Sequence, residues 1–540
     1  MRIREKEEMV LSQGNQAAAT VRVDGANVRH VDFLGVGVNV IPVALMANNA
    51  ANGYQAAHWE VDLRRILSLR PKVARVWFQV DWMEPEKGVY DWERPQMQAF
   101  RAYMDAFREA GTEIELNFGW KVGRGIQEWF AIEGCEGRIS APRDLEAYAA
   151  SCSAALRELI DRRGYDNIKY LAFYNEPNGH WDFDAPGDPR EYYAKLLQTV
   201  HERLVSDGLR ERVRIWGPEE VDMTWTLYMK DHADAWIDEY TFHIYGGSYE
   251  DLGDQIAKRR DYVAPKPVGM TEFGWPHAEE SGWDAGYANY VIQAANEGLH
   301  SALIWQLNGV RCEDPDEGVN TNGVFTLWDS VSDGLAPNRS FYIASLLMRY
   351  IPPHSEVLAT SVSAPDVRAS AFRSAKGDVT VVVECKDGAR GVALEFAGAP
   401  VEGTFYKYVY TDGIAPEDNA LLPPCAGRFA ADGGGFADEA AAGPGYAVAV
   451  YTTLPPQPQV EVTPAQASTS GGRTVRLAAR VVDGEGGVRW SVVGEGNGTV
   501  NAEGLYTAPE EIAAPRLVAV KAEIASGSAG YGVALISVLP

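Results

Sequence analysis

The sequence contains few cysteines, and they are far apart. The five are Cys135, Cys152, Cys312, Cys385 and Cys425, an odd number without any CxxC spacing. This pattern argues against a disulfide framework and against a cysteine zinc site. The nine histidines are also widely separated, so no histidine-based metal set is predicted.

Positive charge is scarce, because 49 Lys and Arg stand against 75 Asp and Glu and give a net charge of −26. Nucleic acid and anionic membranes bind basic faces, so neither is expected as a partner. No stretch approaches the ~18 apolar residues of a membrane span. The first residues, MRIREKEE, lack the apolar region of a signal peptide. We therefore expect a cytoplasmic protein, or a secreted one whose leader is missing from this chain.

A chain of 540 residues is too long for one core and predicts two to four domains. Residues 1–30 are interpreted as an N-terminal extension with a short strand, and residues 31–352 as a barrel. Within that range, apolar runs alternate with helical stretches of spacing three and four. The eight predicted strands are 31–39, 73–80, 113–120, 167–176, 212–219, 238–245, 266–273 and 300–308.

Eight such units favour a (β/α)8 TIM barrel of the α/β class. The competing architecture is a doubly wound open sheet, which would have a Gly-rich phosphate loop after its first strand. Here Gly35-Val-Gly37 lies within the predicted strand instead.

The pattern changes after about residue 353 to short alternating strands. We interpret residues 353–455 as a β-sandwich that shares an apolar interface with the barrel. Pro455-Pro-Gln-Pro-Gln459 reads as a stiff linker, which predicts few contacts across it. Residues 460–540 form a second β-module, in which Gly504-Leu-Tyr-Thr-Ala-Pro509 resembles bacterial immunoglobulin-like repeats.

Two of the predicted barrel strands end in a glutamate. The run from Leu171 leads to Glu176 and is stopped by Pro177, and the run from Pro267 ends in the same way with Glu272. The active site of a barrel is built from strand C-termini and the loops that follow them. One nucleophile and one proton donor are what retaining glycoside hydrolysis requires, without a metal or cofactor. Structural ion pairing is the alternative explanation for these two residues.

The order of these motifs resembles clan A of the glycoside hydrolases, in which glutamates on strands four and seven are the acid/base and the nucleophile. Tyr174-Asn-Glu-Pro-Asn178 and the following His180-Trp-Asp-Phe183 are similar to the acid/base segment of family 39. Glu86-Lys-Gly-Val-Tyr-Asp-Trp92 is similar to that family's second βα loop. Thr271-Glu-Phe-Gly274 looks more like the nucleophile strand of family 5, which is nearly as good a match. The resemblance covers about residues 31–350.

The resemblance implies roles for individual residues. Glu176 would be the general acid/base, with a pKa raised by burial or by the opposing carboxylate. Glu272 would be the ionised nucleophile. Asn175 would bind the sugar 2-hydroxyl, and Arg75 would hold the nucleophile anionic, although Arg75 could instead pair with any acid in the barrel.

The resemblance also implies residues around the bound sugar. His243 and Tyr245 on strand six would orient the nucleophile or touch the sugar, although a core role for His243 is nearly as well supported. Trp305 on strand eight would be the platform under the sugar ring. Trp120, Trp181 and Trp275 follow strands three, four and seven, where lining the cleft and packing at its rim are equally expected.

The function implied is a retaining glycoside hydrolase that cleaves β-type (or α-L equivalent) bonds by double displacement. Its carboxyl groups should lie about 5–5.5 Å apart. The substrate would be an oligosaccharide, a polysaccharide or a glycoside. Family 39 favours exo action and family 5 favours an endo-acting glycanase, and transglycosylation would use the same residues. The alternative from another class is a non-catalytic carbohydrate-binding surface protein.

Glu219 and Glu220 are interpreted as a solvated loop pair.

Overall fold

The computed structural model describes residues 18–118, 127–136, 139–179, 183–247, 249–274, 286–311, 325–331, 336–414, 421–439, 443, 445–527 and 530–540. No helix within these ranges is long and apolar enough to cross a membrane.

The first strand, β1 (Ala19–Phe33), differs from the prediction. It is much longer than the short strand expected in this region, and it pairs with strands of the later β-rich region rather than with the barrel. The predicted strand 31–39 is therefore two strands. The break falls at Gly35, whose φ is +99°. A β-carbon at Gly35 would lie 2.6 Å from Lys72 Cγ, so the turn into the barrel requires glycine.

Eight parallel strands close into a barrel, as predicted. They are β2 (Val36–Val40), β3 (Val73–Phe78), β4 (Glu113–Phe118), β5 (Ile168–Phe173), β6 (Arg214–Glu220), β7 (Glu239–Ile244), β8 (Val268–Phe273) and β9 (Ser301–Ile304). Nearly every residue of these strands is buried, because barrel strands are covered by side chains inside and by helices outside. Two short strands, β10 (Asn308–Gly309) and β11 (Trp328–Asp329), pair with each other beside the barrel.

Helices surround the barrel strands. They are α1 (Ala47–Ala51), α2 (Ala56–Leu69), α3 (Pro95–Ala110), α4 (Gln127–Phe130), α5 (Leu145–Leu156), α6 (Pro189–Ser206), α7 (Thr224–His232), α8 (Tyr249–Val263), α9 (Tyr287–Asn296) and α10 (Arg339–Tyr350). Helix α6 begins with a cap: Asp188 accepts a hydrogen bond from Arg190 N, and Pro189 occupies the first turn. A π-helical turn, Arg157–Arg162, continues α5.

A nine-stranded sheet follows the barrel, in the order β17-β16-β19-β14-β13-β12-β1-β15-β18. Its later strands are β12 (Ser355–Val362), β13 (Val367–Arg373), β14 (Val379–Cys385), β15 (Val392–Ala397), β16 (Glu402–Thr411), β17 (Gly427–Asp432), β18 (Gly435–Asp438) and β19 (Ala447–Thr452). The predicted apolar interface with the barrel is confirmed. Tyr350 of α10 stacks on Tyr408 with ring centroids 4.0 Å apart, and Val448 and Val450 join the barrel core.

The last part of the chain is a β-module with its own apolar core. Its strands are β20 (Gln459–Thr463), β21 (Gln466–Ser470), β22 (Thr474–Arg476), β23 (Ala478–Val482), β24 (Val488–Val492), β25 (Thr499–Val500), β26 (Leu505–Thr507), β27 (Arg516–Ile524) and β28 (Tyr531–Leu539).

The expectation of few contacts across the linker is wrong. Helix α2 packs on β27 and β28 through an apolar cluster that includes Val61 and Leu535. Lys521 pairs with Glu60 at 3.2 Å on the edge of this cluster. The proline-rich linker therefore leads the module back onto the barrel.

Candidate active site

Ionisable side chains from six successive barrel strands meet in one buried group. We call this group the carboxylate cluster; its members are Arg75 on β3, Glu115 on β4, Glu176 after β5, Glu219 on β6, His243 on β7 and Glu272 on β8. Because parallel strands point the same way, residues near their carboxyl ends converge at one end of the barrel.

Arg75 is the cation at the centre of the cluster and is fully buried. Its Nη1 donates to Glu272 Oε1 at 2.6 Å, and its Nη2 donates to Asn175 Oδ1 at 3.0 Å. Its Nε lies 3.1 Å from Glu219 Oε2 and 3.3 Å from Glu115 Oε1. Burial lowers the pKa of Arg75, but these glutamates together shift it above its ordinary value, so the guanidinium stays charged.

Glu272 is held by donors on both carboxyl oxygens. Oε1 accepts from Arg75, and Oε2 accepts from the Tyr245 hydroxyl at 2.7 Å. Burial raises the pKa of Glu272, His243 and Arg75 lower it, Glu176 raises it again, and the resulting pKa lies above the ordinary value. The Tyr245 hydroxyl remains a donor because burial and Glu272 raise its pKa well above the usual range.

The backbone around Glu176 has an unusual conformation where the chain leaves β5. Tyr174 and Glu176 have φ of 60° and 43°, in the left-handed region that non-glycine residues rarely adopt. Pro177 follows, so the chain cannot continue β5. The Glu176 side chain is 13% exposed, against 5% for Glu272, and is therefore the more accessible of the two carboxyl groups.

His243 joins three carboxylates. Its Nδ1 lies 2.7 Å from Glu176 Oε1 and 3.5 Å from Glu272 Oε2, and its Nε2 lies 3.0 Å from Glu219 Oε2. Burial lowers the pKa of His243, but Glu272, Glu176 and Glu219 more than offset it and raise the pKa to about 10. His243 is thus an imidazolium at neutral pH, with a proton on each nitrogen.

One carboxyl oxygen of Glu176 and one of Glu272 lie within 4.8 Å of each other. With His243 they also form a group whose ligand atoms are close enough to hold a metal ion. Both imidazole nitrogens of His243 already lie within hydrogen-bond distance of carboxylate oxygens, Nδ1 of Glu176 and Nε2 of Glu219, so His243 links these carboxylates in one hydrogen-bond network.

The interpretation of Glu219 and Glu220 as a solvated pair is wrong, because both are fully buried. Strand β6 runs through both residues, and each carboxylate has partners inside the fold. Glu219 accepts from Thr271 Oγ1 at 2.8 Å and from His243. Glu220 accepts from Thr226 N and Oγ1 and lies 3.6 Å from Arg259 Nε.

Glu115 is the member of the cluster that the sequence analysis missed. Burial and Glu219 raise its pKa well above its ordinary value, which favours its protonated form. Burial raises the pKa of Glu219 too, but Arg75 and His243 shift it to about 2, so Glu219 is the anion of this pair. Asn39 was missed as well; its Oδ1 accepts from Arg75 Nη1 at 2.9 Å. A glutamate inside the apolar run of β4 was the available signal.

Of the remaining predicted residues, Trp305 follows β9 and is partly exposed, with its ring centroid 5.2 Å from that of the buried Trp77. Asn175 is 7% exposed and is oriented by Arg75. Trp120, Trp181 and Trp275 lie outside the described residues.

The sequence matches no family model and no curated protein. Solved structures do share its fold. The catalytic domain of a family 30 xylanase C from Talaromyces cellulolyticus is 16% identical, with a TM-score of 0.55, over 81% of this chain and 100% of that one. A family 39 β-xylosidase from Caulobacter crescentus is 13% identical, with a TM-score of 0.51, over 81% of this chain and 100% of that one.

An α-L-arabinofuranosidase from Thermotoga maritima is 14% identical, with a TM-score of 0.52, over 81% of this chain and 99% of that one. At such identities the likeness concerns the fold: a (β/α)8 barrel followed by a β-rich region.

Proposed function

We propose that this protein is a retaining glycoside hydrolase of the clan A type, with Glu272 as nucleophile and Glu176 as general acid/base. The observation that carries this proposal is the short distance between the carboxyl groups of these two glutamates. Two carboxyl oxygens lie within 4.8 Å at the carboxyl end of the barrel. Retaining enzymes place their carboxyl groups about 5–5.5 Å apart, whereas inverting enzymes need roughly 6.5–9.5 Å to admit a water molecule.

The first step would form a bond between a Glu272 oxygen and the anomeric carbon while Glu176 protonates the leaving oxygen. Arg75 and Tyr245 each donate to Glu272, which orients the carboxylate for attack. The negative charge of Glu272 also favours the protonated form of Glu176 nearby.

The second step would reverse the role of Glu176. When Glu272 becomes an ester, its negative charge disappears, and the charge of His243 at 2.7 Å then favours the anionic form of Glu176. Anionic Glu176 would take a proton from water, and the resulting hydroxide would displace the sugar from Glu272. Both displacements invert the anomeric carbon, so the product keeps the starting configuration.

The proposal also includes a class of substrate. We infer β-type (or α-L equivalent) bonds and exo action, because the sequence motifs around Glu176 resemble family 39. The family 30, 39 and arabinofuranosidase neighbours act on pentose-containing glycans according to their names, which makes xylosides and arabinofuranosides the first substrates to try.

We also propose the division into a barrel at 31–352, a β-sandwich at 353–455 and an immunoglobulin-like module at 460–540, with β1 added to the sandwich.

The test is the stereochemistry of the first product. The full chain is screened on nitrophenyl glycosides, including xylosides and arabinofuranosides, and on polysaccharides, and the anomeric proton of the nascent sugar is followed by NMR. Retention is expected. An inverted product would exclude the double displacement. A folded protein that binds sugars but hydrolyses none of the panel would favour the non-catalytic alternative.

Glu176→Ala tests the acid/base assignment directly. Turnover should fall far more for substrates with poor leaving groups than for activated aryl glycosides, and azide should restore it through a glycosyl azide of retained configuration. The matched control is Glu220→Gln, another buried glutamate at a strand end but outside the cluster. Equal slowing of both substrate kinds without azide rescue would assign the role to another residue.

A further inference from the structure

The segment 174–176 follows β5 directly and ends in the proposed general acid/base. Tyr174 and Glu176, its first and last residues, have left-handed backbone conformations with φ of 60° and 43°. In residues other than glycine such conformations cost free energy, and they persist only where the surrounding structure holds them. The contacts that hold this segment therefore decide where the Glu176 carboxyl group lies.

The backbone of this segment is held by side chains rather than by the barrel ladder. The pairing of β5 with β4 ends at Phe173, opposite Phe118. Beyond that point, Phe173 O accepts from the Tyr193 hydroxyl at 3.0 Å, and Tyr174 O accepts from Asn117 Nδ2 at 3.0 Å. A carbonyl oxygen can only accept, so the amide nitrogen of Asn117 is the atom that faces it.

The other side chains that hold the segment also contact the proposed nucleophile. Arg75 donates to Asn175 Oδ1 at 3.0 Å and to Glu272 Oε1 at 2.6 Å. His243 Nδ1 lies 2.7 Å from Glu176 Oε1 and 3.5 Å from Glu272 Oε2. A change at Arg75 or at His243 would therefore disturb both proposed catalytic groups at once.

Asn117 differs from Arg75 and His243 in this respect. It lies on β4 and is fully buried. Within the described parts of the chain its side chain makes one hydrogen bond, the one to Tyr174 O, and its Oδ1 has no hydrogen-bond partner there. Asn117 thus contacts the backbone that carries Glu176 without a hydrogen bond to Glu272.

We propose that Asn117 is a positioning residue for the general acid/base, a role that rests on the proposed function. By binding Tyr174 O, Asn117 fixes the peptide unit that precedes Asn175, and with it the direction in which the chain presents Glu176. A general acid must lie within hydrogen-bond reach of the atom that it protonates. A displacement of about 1 Å can lower a rate by roughly a hundredfold. Loss of the Asn117 donor should therefore weaken protonation of the leaving group and leave attack by Glu272 intact.

The test is the dependence of kcat/KM on the leaving group in Asn117→Leu, which replaces the amide by a branched apolar side chain. Activated aryl glycosides are compared with glycosides that have poor leaving groups, because only the poor leaving groups require a proton. The ratio of the two kcat/KM values should rise by about tenfold or more over the wild type. Melting temperatures are measured on the same samples. If Asn117→Leu does not fold, Asn117→Ala, which removes the same donor without adding bulk, replaces it.

Asn167 offers a matched control just before β5, at the other end of the strand. Its Nδ2 donates to Thr112 O at 2.9 Å, and its Oδ1 likewise has no hydrogen-bond partner among the described residues. Asn167→Leu therefore removes the same kind of hydrogen bond at the amino end of the barrel. It should lower the melting temperature and leave the ratio of the two kcat/KM values at that of the wild type.

Glu176→Ala, measured on the same substrates, separates the two ways in which the idea can fail. If Glu176→Ala raises the ratio but the folded Asn117 variant does not, the positioning role is overturned and the proposed function stands. The positioning role is also overturned if Asn167→Leu raises the ratio as much as Asn117→Leu. If Glu176→Ala leaves the ratio unchanged, the acid/base assignment is wrong, and the role of Asn117 fails with it.

Discussion

The two ends of the barrel each hold a buried histidine between carboxylates. At the carboxyl end, His243 lies 2.7 Å from Glu176 and 3.0 Å from Glu219. At the amino end, His300 Nδ1 lies 2.6 Å from Glu239 Oε2.

His300 Nε2 also lies 3.4 Å from Asp32 Oδ2 at the amino end. Burial lowers the pKa of His300, but Glu239 and Asp32 raise it to about 10, as the glutamates do for His243. The same local electrostatics therefore occur at both ends of the barrel.

The surroundings of the two histidines differ. His243 lies beside a second, facing carboxyl group, Glu272, and beside Glu176, which reaches solvent. His300 connects separate segments of the fold: Asp32 lies near the end of β1, and it also pairs at 2.7 Å with His354, the residue before β12. A raised pKa marks a charge network, and only a second reactive group in an open cleft makes that network a candidate for catalysis.

The largest expected effect is that of Glu272→Gln. The change keeps the shape of the side chain but removes the proposed nucleophile, so turnover should fall by roughly 10⁴–10⁶-fold. The melting temperature should not fall, because one of the repelling buried carboxylates is lost. Steady-state kinetics and thermal unfolding on the same sample check this. Residual turnover close to the wild type would place the nucleophile elsewhere.

His243→Gln should produce a smaller loss of turnover and a shifted pH profile. The variant removes a positive charge next to Glu176 and Glu272, and the loss of an opposite charge at this range raises the pKa of a carboxyl group. The acidic limb of kcat/KM should therefore move to higher pH. A lower rate with an unchanged profile would mean that His243 acts only through packing.

At the other end, His300→Gln should leave turnover unchanged and lower stability by about 3–5 kcal/mol, because Glu239 would remain buried without its cation. The pKa of His300 is raised on folding, from an ordinary value of 6.5 to about 10. Its stabilisation is therefore complete below about pH 6.5 and is lost as the pH rises towards about 10.

The wild-type melting temperature should thus fall between about pH 7 and 10, and His300→Gln should lack this part of the slope. The exposed His232→Gln is the matched control and should keep it. An equal slope in all three proteins would show that His300 is not the titrating group. A loss of turnover in folded His300→Gln would show that the charge network at the amino end of the barrel also supports catalysis.

The barrel and its glutamate pair were predictable because both depend on short-range patterns. Apolar runs on buried parallel strands are continuous, and a glutamate that ends such a run is conspicuous, as Glu176 and Glu272 are. The positions of Arg75, His243 and Tyr245 beside that pair followed from a family resemblance, and the structure brings all three to it. Their chemical roles stay predictions.

Long-range pairing was not predictable. Strand β1 precedes the barrel in the sequence, yet its partners β12 and β15 lie more than three hundred residues later. The burial of Glu219 depends on Arg75 and His243, which come from other strands. The docking of the C-terminal module on α2 depends on small apolar residues such as Ala57 and Val61, which are equally typical of a helix packed within its own domain.

The smallest expected effect on turnover is that of removing the C-terminal module. A chain ending near residue 455 keeps the carboxylate cluster, so turnover on small soluble glycosides should match that of the full chain. Its melting temperature should fall by several degrees, because Ala57 and Val61 of α2 lose the cover of β27 and β28. In the full chain, Leu535→Asp should reproduce that fall in melting temperature, because Leu535 is 3% exposed and packs on α2. The matched control is Leu539→Asp on the same strand, which should not lower the melting temperature because Leu539 is 45% exposed. A truncated protein that stays folded but loses turnover would mean that the module also supports the carboxyl end of the barrel. Residues at the amino end would then affect catalysis as well as stability.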